Sequence, residues 1–227
     1  MDTTLLSATL YSGSFIPGLG PWHDTAPVSS SAAGRLVAAF NSGFRMQDAH
    51  GGYYSEGRTV LPLRQGDASI VVYGDGRVTV AKWGRDATMG RDVVAVRQNL
   101  RLLVDRGAPV PGLESNDTSQ WGATLGNKVY VWRSGLGVTA DGALVYVGGP
   151  GLNITTLANL LVRAGAMRGM ELDINTDWVN FSTYAPPPGG RASTSNGSSL
   201  LGTMAGGPGR YLLPSWSRDF LTMSARF

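Results

Sequence analysis

The chain of 227 residues has no cysteine, two histidines, two lysines and three glutamates. Without cysteine neither a disulfide framework nor a thiolate metal site is possible, and two isolated histidines leave little for zinc. No metal is expected. The missing thiols do not decide the compartment, because such a chain suits either side of a membrane. Basic residues are scattered without a run of five and the formal charge is only +3, which argues against a nucleic-acid or membrane-surface partner. Neither a signal peptide nor a membrane segment is visible at the start, where Met1 to Leu10 alternates polar and apolar residues as a strand does.

What is present is glycine (32), proline (12) and 42% hydrophobic residues against 15% charged, the composition of a globular, turn-rich protein. Alternation marks strands at 4–11, 35–40, 59–63, 69–73, 78–83, 129–132, 136–139 and 144–147. Asp75-Gly76 and Asp141-Gly142 lie between apolar runs and predict hairpins. Val93, Val96, Leu100, Leu103 and Val104 fall at helical spacing over 92–106, ahead of Gly107. A second helix is predicted over 154–164, capped by Asn153 or Thr155 and ended by Gly165. Residues 144–147, 154–164 and 169–174 then read as a strand-helix-strand unit. The expected fold is α+β: one domain over 1–227, with a twisted, mostly antiparallel or mixed β-sheet and two main helices packed on it. The breaker-rich stretch at 185–199 reads as a mobile loop, and strand-like residues return after 210 to close the domain.

Residues 169–181 raise the functional question. Glu171, Asp173, Asn175 and Asp177 occupy alternate positions, so an extended strand would turn all four to one side and Met170, Leu172 and Ile174 to the other. The spacing copies the first half of a calcium loop, but Trp178 stands where that loop needs glycine and Tyr184 where it needs glutamate. A solvated strand face is the plain alternative. Trp178 and Phe181 beside carboxylates instead suit a sugar site, in which ring faces meet C–H groups and charged oxygens meet hydroxyls.

Two more clusters stand out. Phe40-Asn-Ser-Gly-Phe-Arg-Met46 leaves an apolar strand and leads to Asp48, His50, Tyr53, Tyr54 and Glu56. Trp132-Arg-Ser-Gly-Leu-Gly137 puts Arg133 where small residues interrupt a strand. In order, Asn-x-Gly-Phe-Arg-Met, Arg-Ser-x-Leu-Gly with its Asp-Gly hairpin, a Leu-Ala-x-Leu-Leu helix with Gly-Ala, and Leu-Asp at a strand end resemble the phosphodiester glycosidase family over about 36–184.

That resemblance implies hydrolysis of a sugar-1-phosphodiester or related glycosidic linkage, in a glycan or cell-envelope polymer. It implies roles for Asn41, Gly43, Phe44, Arg45, Arg133 and Gly137 in binding and for Asp173 in catalysis. From position alone, Glu171 or Asp177 would partner Asp173, while Glu56, Asn175 and Trp178 would join the binding surface. The family follows this Asp with Gly-Gly-Gly-Ser, whereas Ile174-Asn175-Thr176-Asp177 stands here, so the pocket floor differs. The chemistry is coherent: arginines hold the anion, and a carboxylate stabilises the oxocarbenium-like state or activates water. No cofactor is required. The expected partner is a carbohydrate or glycan-phosphodiester substrate, the expected location extracytoplasmic or secreted with any export segment absent or trimmed, and the cytosol the alternative. A noncatalytic glycan-binding module that retained the pocket is the rival reading.

Overall fold

Alternating apolar residues and Asp-Gly turns produce most of the chain's regular structure. In the computed structural model, which describes residues 1–18 and 20–226, the elements run in this order. They are β1 (Leu6–Tyr11), β2 (Leu36–Asn41), α1 (Met46–Ala49), β3 (Tyr53–Ser55), β4 (Arg58–Leu61), β5 (Ala68–Tyr73), β6 (Val78–Lys82), β7 (Val93–Gln98), β8 (Leu102–Asp105) and β9 (Ala108–Pro109), then α2 (Thr118–Trp121), β10 (Val131–Thr139), β11 (Leu144–Leu152), α3 (Ile154–Arg163), β12 (Ala166–Glu171), β13 (Phe181–Tyr184), β14 (Gly197–Ser199) and β15 (Phe220–Ala225). No helix among the described residues is long and apolar enough to cross a membrane.

The strands form three five-stranded sheets, in the orders β1-β15-β2-β13-β14, β11-β10-β12-β8-β9 and β4-β3-β7-β5-β6. Neighbours in each are antiparallel. One core draws Leu10, Phe40 and Met223 from the first sheet, Leu136 and Met170 from the second, and Ile70, Val72 and Val80 from the third. The three sheets therefore converge, and the loops leaving their strand ends are carried on a shared rigid base.

Both Asp-Gly hairpins form. Gly76 and Gly142 sit at φ +80° and +86°, the left-handed region where glycine carries no Cβ penalty, and they link β5 to β6 and β10 to β11. Helix α3 also follows the sequence: the Asn153 side chain accepts from the Thr156 N–H at 2.7 Å, and Gly165 closes the C-terminal end at φ +90°. Its buried Ile154, Leu157, Ala158 and Leu161 pack on Leu103, Val104 and Ala166 of the second sheet. Strands β11 and β12, joined by α3, flank β10 and run parallel to each other with β10 antiparallel between them.

Other expectations are corrected. The helix predicted over 92–106 is instead β7 and β8, so the fold is mostly β, and among the described residues α3 is the one helix of more than four residues. A short apolar run fits either period; here β-branched Val93 pairs with β5 and Val96 with both β3 and β5, and Leu100 at φ +57° breaks any helix. The strand thought to be interrupted at Arg133-Ser134-Gly135 is continuous β10, with a register shift between Val131 and Arg133. The stretch at 185–199 ends in β14, which pairs with β13.

Replacing Asn153 with alanine removes the α3 cap and should lower the urea-unfolding free energy by about 1 kcal/mol, whereas Asn153→Asp, which keeps the acceptor, should leave it nearly unchanged.

Candidate functional site

The loop after β2 is fixed from below by buried polar side chains. Asn41 donates to Ser134 Oγ at 3.0 Å and accepts from the Tyr146 hydroxyl at 2.8 Å and the Asn180 N–H at 3.1 Å. The Asn99 carboxamide accepts from the Phe44 N–H at 3.1 Å and donates to the carbonyls of Glu171 and Leu172 at 2.8 and 3.2 Å. It thereby ties this loop to the end of β12. Gly43 is required by that contact, since a Cβ there would lie 2.9 Å from Asn99 Oδ1. Deeper still, Arg97 and Asp219, both with fully buried side chains, pair at 2.6 Å. The other Arg97 nitrogens donate to the carbonyls of Phe44 and Gln98.

Strand β12 stops at Glu171, and the chain continues as a buried irregular segment. The Asp173 carbonyl accepts from Ser134 N–H at 3.0 Å and from Ser134 Oγ–H at 2.8 Å, which fixes its backbone. Its carboxylate accepts from the N–H groups of Ile174 and Asn175 at 2.8 and 3.2 Å through Oδ1, and from Arg218 through Oδ2. Arg218 lies over the Trp178 ring, 4.1 Å from its centroid, and Arg210 lies 4.8 Å from it. That cation–π contact helps hold the guanidinium within reach of the carboxylate.

Above Asp173 opens a cleft of about 590 Å³, whose lining includes Phe44, Arg45, Asp48, Lys128, Tyr130, Asn175 and Arg218. Arg45 forks onto Asp48 with contacts of 2.7 and 3.3 Å. Lys128 is exposed and makes no ion pair among the described residues. Cationic groups thus ring one nearly buried carboxylate, a pattern suited to an anionic substrate.

Of the sequence-derived residues, Phe44, Arg45, Asp173 and Asn175 share this cleft, while Asn41, Gly43 and Trp178 border a smaller pocket that Asp173 also lines. Arg133 and Glu171 do not line the cleft. They form a buried pair at 2.5 Å, and the Arg133 Nε donates to the Leu152 carbonyl at 3.1 Å. Asp177 is exposed on the turn following Asn175. Gly137 lies inside β10, where a Cβ would sit 2.6 Å from that of Ala166. Glu56 lies apart, accepting from the N–H groups of His23 and Asp24 at 2.8 and 2.9 Å. The alternating file is therefore not a solvated face: Glu171 and Asp173 are as buried as Met170 and Leu172. Arg218, Asp219, Arg97, Asn99 and Lys128 were not singled out from sequence. No local pattern marks them, since each acts on a segment distant in the chain. Among the described residues no group of three or more His, Asp or Glu is arranged to hold a metal.

Burial shifts both inner carboxyls upward. Asp173 is pushed to about 6 by desolvation, against the opposing pull of Arg218 and the two backbone N–H groups. Glu171 is pushed to about 8 by desolvation, reinforced by Asp173 and opposed by Arg133. Because the folded state binds these protons more tightly, the stability they contribute is fully present below the ordinary carboxylate range. It is lost as pH rises through about 6 for Asp173 and about 8 for Glu171. Melting temperatures of the wild type should thus fall between pH 6 and 8, and Glu171→Gln should flatten that segment. Arg133→Lys should cost roughly 1 to 3 kcal/mol in denaturant unfolding by stranding the buried carbonyl partners, and leave ligand affinity in the cleft unchanged.

No family model and no curated protein sequence matches this chain. Among solved structures it is similar to the zebrafish N-acetylglucosamine-1-phosphodiester alpha-N-acetylglucosaminidase catalytic domain, auto-inhibited by its pro-peptide. The TM-score is 0.54 at 18% identity, covering 99% of this chain and 74% of that one. It is also similar to a hypothetical protein from Synechocystis, with a TM-score of 0.50 at 12% identity, covering 97% of this chain and 57% of that one. At these identities the likeness shows the fold: this chain is built on the same distant scaffold as that glycosidase domain.

Proposed function

We propose that the chain is a glycosidase-type hydrolase that cleaves a sugar-1-phosphodiester or related glycosidic linkage in a glycan or cell-envelope polymer, with Asp173 as the central carboxylate. The observation that carries this reading is the position of Asp173 in the cleft floor, bound to Arg218, with Arg45 and Lys128 on the walls. The scaffold shared with a phosphodiester glycosidase domain supports the same class.

A carboxylate has about four lone-pair positions. Asp173 uses three of them on the Ile174 and Asn175 N–H groups and on Arg218, so one is left for a water or sugar hydroxyl. With burial raising it to about 6, the group is still mainly ionised at neutral pH and basic enough to take a proton. A phosphate leaving group needs little protonation. Arg45, Lys128 and Arg218 offset its charge as the anomeric C–O bond breaks, Asp173 accepts the water proton, and the water oxygen joins the anomeric carbon. The products are the free sugar and a phosphomonoester. Tyr130, 64% exposed at the cleft rim, offers a ring face to a sugar. A cell-envelope substrate would place the working protein outside the cytoplasm.

One observation favours the noncatalytic reading: Glu171 is committed to Arg133, and Asp48 to Arg45, so among the described residues Asp173 has no free carboxylate partner in the cleft. A panel of sugar-1-phosphodiesters and aryl glycosides separates the two readings. Asp173→Asn should fold and bind as the wild type does, yet lose at least about a hundredfold in turnover. Wild-type activity should drop about tenfold per pH unit below about 6, as the base is protonated. Turnover within a few-fold of wild type in the Asn variant, at equal melting temperature, would remove Asp173 from the chemistry.

A further inference from the structure

A second pocket, which shares Asp173 and Arg218 with the cleft, has room on the scale of a single water molecule, about 10 Å³. Its lining includes Tyr211, Arg218 and Asp219. Each of these three carries a buried polar atom without a protein partner: the Tyr211 hydroxyl, Arg218 Nε and Asp219 Oδ1. Tyr211 and Asp219 are 3% and 2% exposed, so bulk solvent does not satisfy them. Leaving even one such group unpaired costs about 1 to 3 kcal/mol. Three at one small pocket call for a common partner.

Their chemistry defines that partner. Arg218 Nε can only donate and Asp219 Oδ1 can only accept, while the hydroxyl can do either. A cation is opposed by Arg218 and Arg210, and an anion by Asp173 and Asp219, all of which line the pocket. A neutral molecule that accepts once and donates at least once fits both the space and the charge. We propose that this pocket binds one water, which accepts from Arg218 Nε, donates to Asp219 Oδ1 and shares a hydrogen bond with the Tyr211 hydroxyl. Three bonds are typical of a buried structural water.

The site extends the reading of Asp173 as the working carboxylate, and it makes Tyr211 and Asp219 positioning residues. Arg218 is then gripped at Nε by the water and at Nη1 by Asp173, with its guanidinium carbon over the Trp178 ring. Asp219 is in turn anchored by Arg97 and Ser42. The buried pair thereby helps to position Arg218 at the cleft floor. Asp173 interacts with Arg218, the Ile174 and Asn175 N–H groups, Glu171, Tyr146 and Tyr211, and Arg45 lines the same cleft. The water acts through Arg218.

A crystal structure at about 1.5 Å should show a water within hydrogen-bond distance of all three atoms; a site without water density, or the three atoms paired directly with protein, would overturn the proposal. Tyr211→Phe removes one partner while its ring, stacked at 4.4 Å on Phe220, stays in place. Followed by carbon NMR of the aspartate carboxyls, this variant should raise the Asp173 titration midpoint by about half a unit, because a less firmly held Arg218 stabilises the anion less. An unmoved midpoint in Tyr211→Phe at unchanged melting temperature would sink the positioning role. The NMR titration needs no substrate, so it stands apart from failure of the proposed hydrolysis.

Discussion

The buried pair of Arg97 and Asp219 is the constraint on which the site depends. Two charges with no exposed side-chain surface are tolerable only when their remaining hydrogen-bonding groups are also met. Arg97 meets this condition by reaching the carbonyls of Phe44 and Gln98, and Asp219 meets it at Oδ2 through the Ser42 hydroxyl, leaving Oδ1 to the proposed water. Each compensating bond lands on the loop after β2 or on the neighbouring end of β7. The need to satisfy one ion pair therefore fixes the geometry of the segment that supplies Phe44 and Arg45 to the cleft. Removing either charge would strand the other and release that loop as well.

The floor of the cleft shows a local solution to a similar problem. Where glycines would leave bare backbone, this chain makes two successive side-chain turns: Asp173 Oδ1 accepts from Ile174 and Asn175, and Asn175 Oδ1 accepts from Asp177 at 2.9 Å. The backbone is held tightly, but Asn175 and Thr176 side chains project where a ligand would otherwise meet the main chain. A substrate here would touch an amide and a hydroxyl, which favours polar, hydroxyl-bearing groups over close-packed ones.

Local chemistry made much of the fold legible. The Asp-Gly turns, the Asn153 cap and the Gly165 terminus each act within a few residues, and each appears as read. The segment 92–106 misled because its apolar spacing fits either period, and only pairing with β3 and β5, distant in sequence, selects the strand. The alternation at 171–177 was visible, yet its meaning was not: whether a polar file faces water or a buried guanidinium is decided by Arg133 and Arg218, far away in the chain. Asp173 could be picked out by its place at a strand end. Arg218, its direct partner, lies in a stretch that reads only as a closing strand and its approach.

In the first sheet β15 is inserted between β1 and β2, pairing with both. Among the described residues β1 therefore has no strand partner, and β2 has only β13, until residues 220–225 arrive, and Arg218 and Asp219 immediately precede them. On the ribosome, β1 must wait for residues 220–225, with its edge unpaired and open to the wrong neighbours. The same insertion makes assembly of the charged site and closure of the sheet a single late event, so a nascent chain cannot present a finished cleft before its fold is locked.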